Sequence, residues 1–171
     1  MADSLSSSVF GKRHVFAIQI DYEVASTSCS RLARLNYWVQ DRRLGSLELY
    51  EVMDILIAMK WIRGDCGKRD GGGLCRLSDD LIHNWILATL TSDSEDQLVS
   101  SDLPLDVARF NLAFHPTHGA CWLFLLSCGP IGRLLLRESE SSPLVSVTAP
   151  IADLDAAVVD AYACLDSLVS H

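Results

Sequence analysis

Two apolar runs joined by a short glycine–proline segment dominate the hydrophobic pattern of this chain. Residues 121–127 and 133–137 are rich in Leu, Phe and Trp, and Cys128, Gly129, Pro130, Ile131 and Gly132 lie between them. Neither run is long enough for a typical helix. Gly reaches positive φ without steric cost, and Pro presets the φ that turns need. The pattern predicts a β-hairpin at the centre of a sheet, covered on both faces because its strands are apolar almost throughout.

The remaining pattern alternates between sheet and helix periods. Residues 15–22 predict a strand with Phe16, Ile18, Ile20 and Tyr22 on one face. Residues 35–40 predict a second strand, 41–45 a turn with Gly45 at positive φ, and 46–49 a brief third strand. Val52, Ile55, Leu56, Met59 and Ile62 recur at steps of three and four, which predicts a helix over 50–62 stopped by Gly64. That helix is apolar around much of its circumference, so deep burial is expected. Residues 65–73, rich in glycine, predict a surface loop.

Ser78, Asp79 and Asp80 mark the start of a second helix, with Leu81, Ile82, Trp85, Ile86 and Leu90 as its apolar face. Residues 107–114 and 144–148 read as strands, and Pro150 opens a last helix carrying Leu154, Ala157, Val158, Ala161, Tyr162, Leu165 and Leu168 at helical spacing. Strands and helices come in blocks. The prediction is a single α+β domain over 9–171, mostly antiparallel sheet with about three helices packed against it, after a flexible tail at 1–8.

Charge and composition narrow the function. The chain has 171 residues, 49% hydrophobic and 21% charged, and a net charge of −8. Such an acidic chain lacks the basic footprint of a nucleic-acid binder, and no apolar run is long enough to span a bilayer. The polar start has no secretory leader pattern, so the cytoplasm is the expected compartment. There the six cysteines are expected as thiols, with Cys121, Cys128 and Cys164 acting as small buried hydrophobes.

No catalytic set emerges. Cys66, Cys75 and His83 are the nearest approach to a metal-ligand group, but they lack the close cysteine pairs of a structural zinc site. His115 and His118 flank Pro116 in a connector. Gly71-Gly72-Gly73 lacks the Lys-Ser/Thr ending of a phosphate loop, and no serine sits in a Gly-x-Ser-x-Gly elbow. No catalytic residue, metal or cofactor is assigned. Arg31, Arg34, Arg42 and Arg43 read as a solvated edge. Asp93, Glu95, Asp96, Asp102 and Asp106 fall in a segment without Lys or Arg, a candidate docking surface for a basic partner. Trp38, Trp61, Trp85 and Trp122 all read as core, with room for one of them to serve as an exposed anchor.

Several of these residues together resemble the immunity protein 42 family of bacterial polymorphic toxin systems. The likeness lies in Phe10-Gly11 leading into Phe16-Ala17-Ile18, and in Leu35-Asn36-Tyr37-Trp38-Val39 followed by Arg43-Leu44-Gly45. It continues in Trp122-Leu123-Phe124, in Arg133-Leu134-Leu135-Leu136 and in the apolar last helix. The resemblance implies an α+β fold, no catalysis, and binding and neutralisation of a cognate toxin; the acidic charge of the chain suits a toxin with a basic surface. The alternative is an acidic type III secretion chaperone binding an effector segment. Such chaperones tend to open with a helix, whereas this chain is expected to open with a strand.

Overall fold

The computed structural model describes residues 5–24, 31–91, 106–113 and 121–170. Its strands are β1 (Leu5–Lys12), β2 (Phe16–Glu23), β3 (Leu32–Val39), β4 (Arg42–Leu44), β5 (Tyr50–Glu51), β6 (Trp122–Cys128), β7 (Ile131–Arg137) and β8 (Val145–Pro150). Its helices are α1 (Val52–Gly64), α2 (Asp79–Thr91) and α3 (Ile151–Val169), with 3-10 turns at Gly72–Arg76 and Ala108–Phe110. The fold is α+β, but the antiparallel strands form two sheets rather than one. The first has the order β1-β2-β3-β4, with β5 also on β3, and the second has the order β6-β7-β8.

Register follows the alternation in the sequence. Phe16, Ile18 and Ile20 stand opposite Val39, Tyr37 and Leu35, and all six are buried. A one-residue slip would turn this set to the other face, so burial fixes the pairing. The β3–β4 turn is Gln40–Asp41 rather than the expected 41–45, since Arg42–Leu44 forms strand β4. Gln40 and Asp41 take φ of 50° and 61°, the positive pair that a two-residue hairpin needs. Gly45 is required for another reason. At φ 138°, a Cβ there would stand 2.6 Å from Asn36 Oδ1 and 2.9 Å from the Leu35 carbonyl.

The second sheet is covered on both faces, as its apolar strands imply. Leu123, Leu125, Leu134 and Leu136 join the first sheet, α1 and α3 in one core. Phe124, Leu126 and Leu135 face a second core with Ile82 and Ile86 of α2, Leu74, Val107 and Phe110. Arg133 and Arg137 of β7 hold α2 in place through Asp79 and Asp80. The hairpin is not central, because β7 is the middle strand and β6 ends the order. Short backbone bridges from Asn111 and Asp70 cover the free edge of β6.

Several expectations are corrected. Leu5 to Ser8 belong to β1, paired with Glu23 to Ile20, rather than to a tail. Residues 107–113 form a 3-10 turn and one bridge to Phe124, because burying Val107, Phe110 and Leu112 does not follow a strand period. In α2, His83 is buried with Ile82 and Ile86, while Leu81 is exposed. Cys75 and Cys128 form a disulfide instead of remaining thiols. Ser127 exchanges backbone hydrogen bonds with Gly71 and Arg69, which brings the two cysteine Cα atoms to 5.7 Å, within bridging range. Among the described residues, no helix is long and apolar enough to cross a membrane.

Candidate protein-binding surface

Helix α1 buries the predicted stripe of Val52, Ile55, Leu56, Met59 and Ile62. Its other apolar residues are not buried. Met53, Ile57 and Trp61 follow one another at steps of four, which sets them on one face, and they are 45%, 51% and 76% exposed. The expectation of burial all round is therefore wrong for this face. Trp61 is not core but the most exposed large aromatic of the described chain, and Trp38, Trp85 and Trp122 are partly buried.

Opposite this face runs the segment 106–113. The Leu112 amide donates to the Leu123 carbonyl at 2.8 Å, and the Tyr37 hydroxyl donates to the Leu112 carbonyl at 2.6 Å. Burial pushes the Tyr37 phenol well above its ordinary range, so it stays a neutral donor. The buried Arg69 guanidinium ties the surface together. It donates to the Arg109 carbonyl at 3.1 Å, to the Ile62 carbonyl at 2.5 Å and to Asp155 Oδ1 at 2.9 Å.

Between α1 and this segment lies a groove of about 370 Å³. Ile57, Ala58 and Trp61 line one side, Ala108, Asn111 and Ala113 the other, and Asp54 and Asp65 are the charged groups in its lining. A second groove of about 480 Å³ shares Ile57, Trp61 and Asp65 with the first and adds Lys60, Gly64 and Lys68. The indole thus borders two grooves, one with two carboxylates and no ammonium group, the other with two ammonium groups and one carboxylate.

The residues singled out in the sequence fall unevenly. Asp93, Glu95, Asp96 and Asp102, like His115 and His118, lie outside the described residues. Asp106 is exposed and stands two residues before Ala108 in the groove wall. Cys66, Cys75 and His83 do not converge. Cys75 is in the disulfide, the Cys66 thiol lies 3.6 Å from Arg69, and His83 is buried against the Phe124 ring. Burial raises the Cys66 thiol, with Arg69 pulling the other way. Among the described residues, no group of three or more His, Cys, Asp or Glu is placed to hold a metal ion.

The arginine cluster is not a loose edge. On the outward face of the first sheet, Arg34 Nε donates to Asp21 Oδ2 at 2.7 Å and Arg43 approaches the same oxygen at 3.5 Å. Gln19 donates to Asp21 Oδ1 at 2.7 Å and accepts from the Trp38 indole at 2.7 Å. Burial alone would raise the Asp21 carboxyl, but hydrogen bonds from Ser7, Gln19 and Arg34 hold it below the usual range. Arg42 pairs instead with Glu138, and Arg31 donates to the Leu168 carbonyl. Their own partners largely occupy these charges. The α1 face differs, since its apolar side chains are left exposed beside charged rims, the composition of an interface core and rim.

The overall fold has a solved counterpart. It is similar to that of a CdiI protein. The crystal structure of CdiI from Burkholderia dolosa AUO158 matches with a TM-score of 0.61 at 16% sequence identity, covering 91% of this chain and 99% of that chain. At this identity the likeness is one of fold. No protein-family model and no curated protein matches the chain.

The α1 face was missed in the sequence although a signal was there. Met53, Ile57 and Trp61 make a second apolar stripe, offset from the buried one, on a helix with few neighbours able to cover both.

Proposed function

We propose that this chain is an immunity protein that binds a cognate bacterial toxin and neutralises it by occluding the toxin's active site. The observation that carries this reading is the likeness, over nearly the full length of both chains, to CdiI, an immunity protein of contact-dependent inhibition. The resemblance of the sequence to the immunity protein 42 family points the same way. In this reading the chain performs no chemistry and needs no cofactor.

Docking falls to the exposed face of α1 and to the acidic residues Asp93, Glu95, Asp96, Asp102 and Asp106, which meet a basic toxin surface. A net charge of −8 speeds encounter with such a surface, while an apolar anchor such as Trp61 supplies most of the residence time. The test is co-expression with the toxin domain encoded beside this gene. Cells carrying both should grow, and cells carrying the toxin alone should not. Equal killing with and without this protein rejects the reading.

A further inference from the structure

We infer that the carboxylate-bearing groove beside Trp61 receives an arginine side chain of the partner protein, with an apolar neighbour of that arginine packed on Ile57. This rests on the immunity reading only for the identity of the partner as a toxin. The chemistry of the groove stands on its own observations.

Its floor and walls are apolar or small: Ile57, Ala58, Ala108 and Ala113, with the exposed indole of Trp61 at one side. Its charged groups are Asp54 and Asp65, and no basic residue contributes to its lining. Neither carboxylate takes part in an ion pair within the described chain. The space, about 370 Å³, accommodates a long side chain. An arginine suits all three features at once. Its aliphatic stem covers apolar surface, its planar guanidinium stacks on an indole face, and its fixed charge pairs with a carboxylate. The adjoining groove shares Ile57, Trp61 and Asp65 with this one but adds Lys60 and Lys68, so a cation is better received in the groove that holds Asp54 as well and no ammonium group.

The test uses the full chain and three synthetic tripeptide amides, acetyl-Leu-Arg-Leu, acetyl-Leu-citrulline-Leu and acetyl-Leu-Glu-Leu. Citrulline keeps the shape of arginine and removes its charge. Binding is read from the indole N–H resonance of Trp61, assigned by its disappearance in Trp61→Phe. The arginine peptide should produce a saturable shift and bind on the order of tenfold more tightly than the citrulline peptide, as a cation–π contact and an exposed ion pair together allow. The difference should vanish in the Asp54→Asn/Asp65→Asn double variant. Equal binding of arginine and citrulline peptides overturns the inference, as does a saturable shift from none of the three. Either failure leaves the co-expression result untouched, so the groove and the immunity role are judged separately.

Discussion

Arg69 and Asp155 form an ion pair of 2.9 Å in which the guanidinium is 1% exposed and the carboxylate 18%. The pair links the segment after α1 to α3 across 86 positions of sequence. The second oxygen of Asp155 accepts the Gly67 amide at 2.9 Å, while Arg69 also donates to the carbonyls of Ile62 and Arg109. One buried cation therefore fixes the end of α1, the wall of the Trp61 groove and the start of α3 together.

Removing the acid strands that cation. Loss of one partner from a buried pair costs about 3–5 kcal/mol. Asp155 keeps some solvent contact, so Asp155→Ala should fall at the low end, about 3 kcal/mol less stable by urea denaturation. A loss under about 1 kcal/mol would show that the remaining carbonyl acceptors suffice for Arg69.

The Cys75–Cys128 bridge closes a loop with a sequence separation of 53. In the chain-entropy account, such a loop contributes about 4 kcal/mol by restricting the unfolded chain. Cys75→Ser/Cys128→Ser, or the wild type under a dithiol reductant, should unfold at lower denaturant by up to that amount. Without reductant, alkylation followed by peptide mapping should modify Cys66, Cys121 and Cys164 in denatured protein and leave Cys75 and Cys128 unmodified. Full alkylation of Cys75 would contradict the bridge.

This bridge also marks where a sequence stops being legible. The helical stripe from Val52 to Ile62 could be read because its period is a property of one segment. So could the inward face of β2, where Phe16, Ile18 and Ile20 alternate. The disulfide could not, since it depends on Ser127 meeting Gly71, a contact made only after the chain has folded. Trp61 was misjudged for a related reason. Period alone shows that a helix has two apolar faces, but the number of covering elements decides which is buried. The Gln40–Asp41 turn was displaced toward Gly45 because a glycine advertises positive φ, whereas Gln40 adopts it under the pull of strand pairing. Of the proposed contact residues, Asp106 alone lies within the described part.

His83 is fully buried, and among the described residues neither of its ring nitrogens finds a hydrogen-bond partner. Burial lowers its pKa below 6.5, and the nearby Arg137 cation lowers it further. The unfolded chain thus takes up a proton at a pH where the folded protein does not. Stability contributed by the neutral ring is complete above about pH 6.5 and declines as pH falls below it toward the folded-state value. His83→Leu should flatten this part of the stability–pH curve, leaving the response of the carboxylates at lower pH. An unchanged slope between pH 6.5 and 5 would assign it to other groups.

Trp61 separates stability from binding. It is 76% exposed, and substitutions at such positions usually alter stability by no more than about 0.5 kcal/mol. Trp61→Ala should therefore unfold at nearly the wild-type denaturant concentration. A central aromatic anchor, in contrast, costs about 2 kcal/mol or more of binding when truncated, roughly thirtyfold in affinity. In cells producing the adjacent toxin domain, Trp61→Ala should protect less well than wild type at equal protein level. Raising its expression should restore growth, because occupancy follows concentration over Kd. Asp153→Ala offers the matched control: an exposed side chain on α3, outside the groove, paired only loosely with Lys12 at 3.8 Å. If Trp61→Ala protects as fully as that control, even at the lowest expression that still rescues growth, the α1 face is not the docking surface.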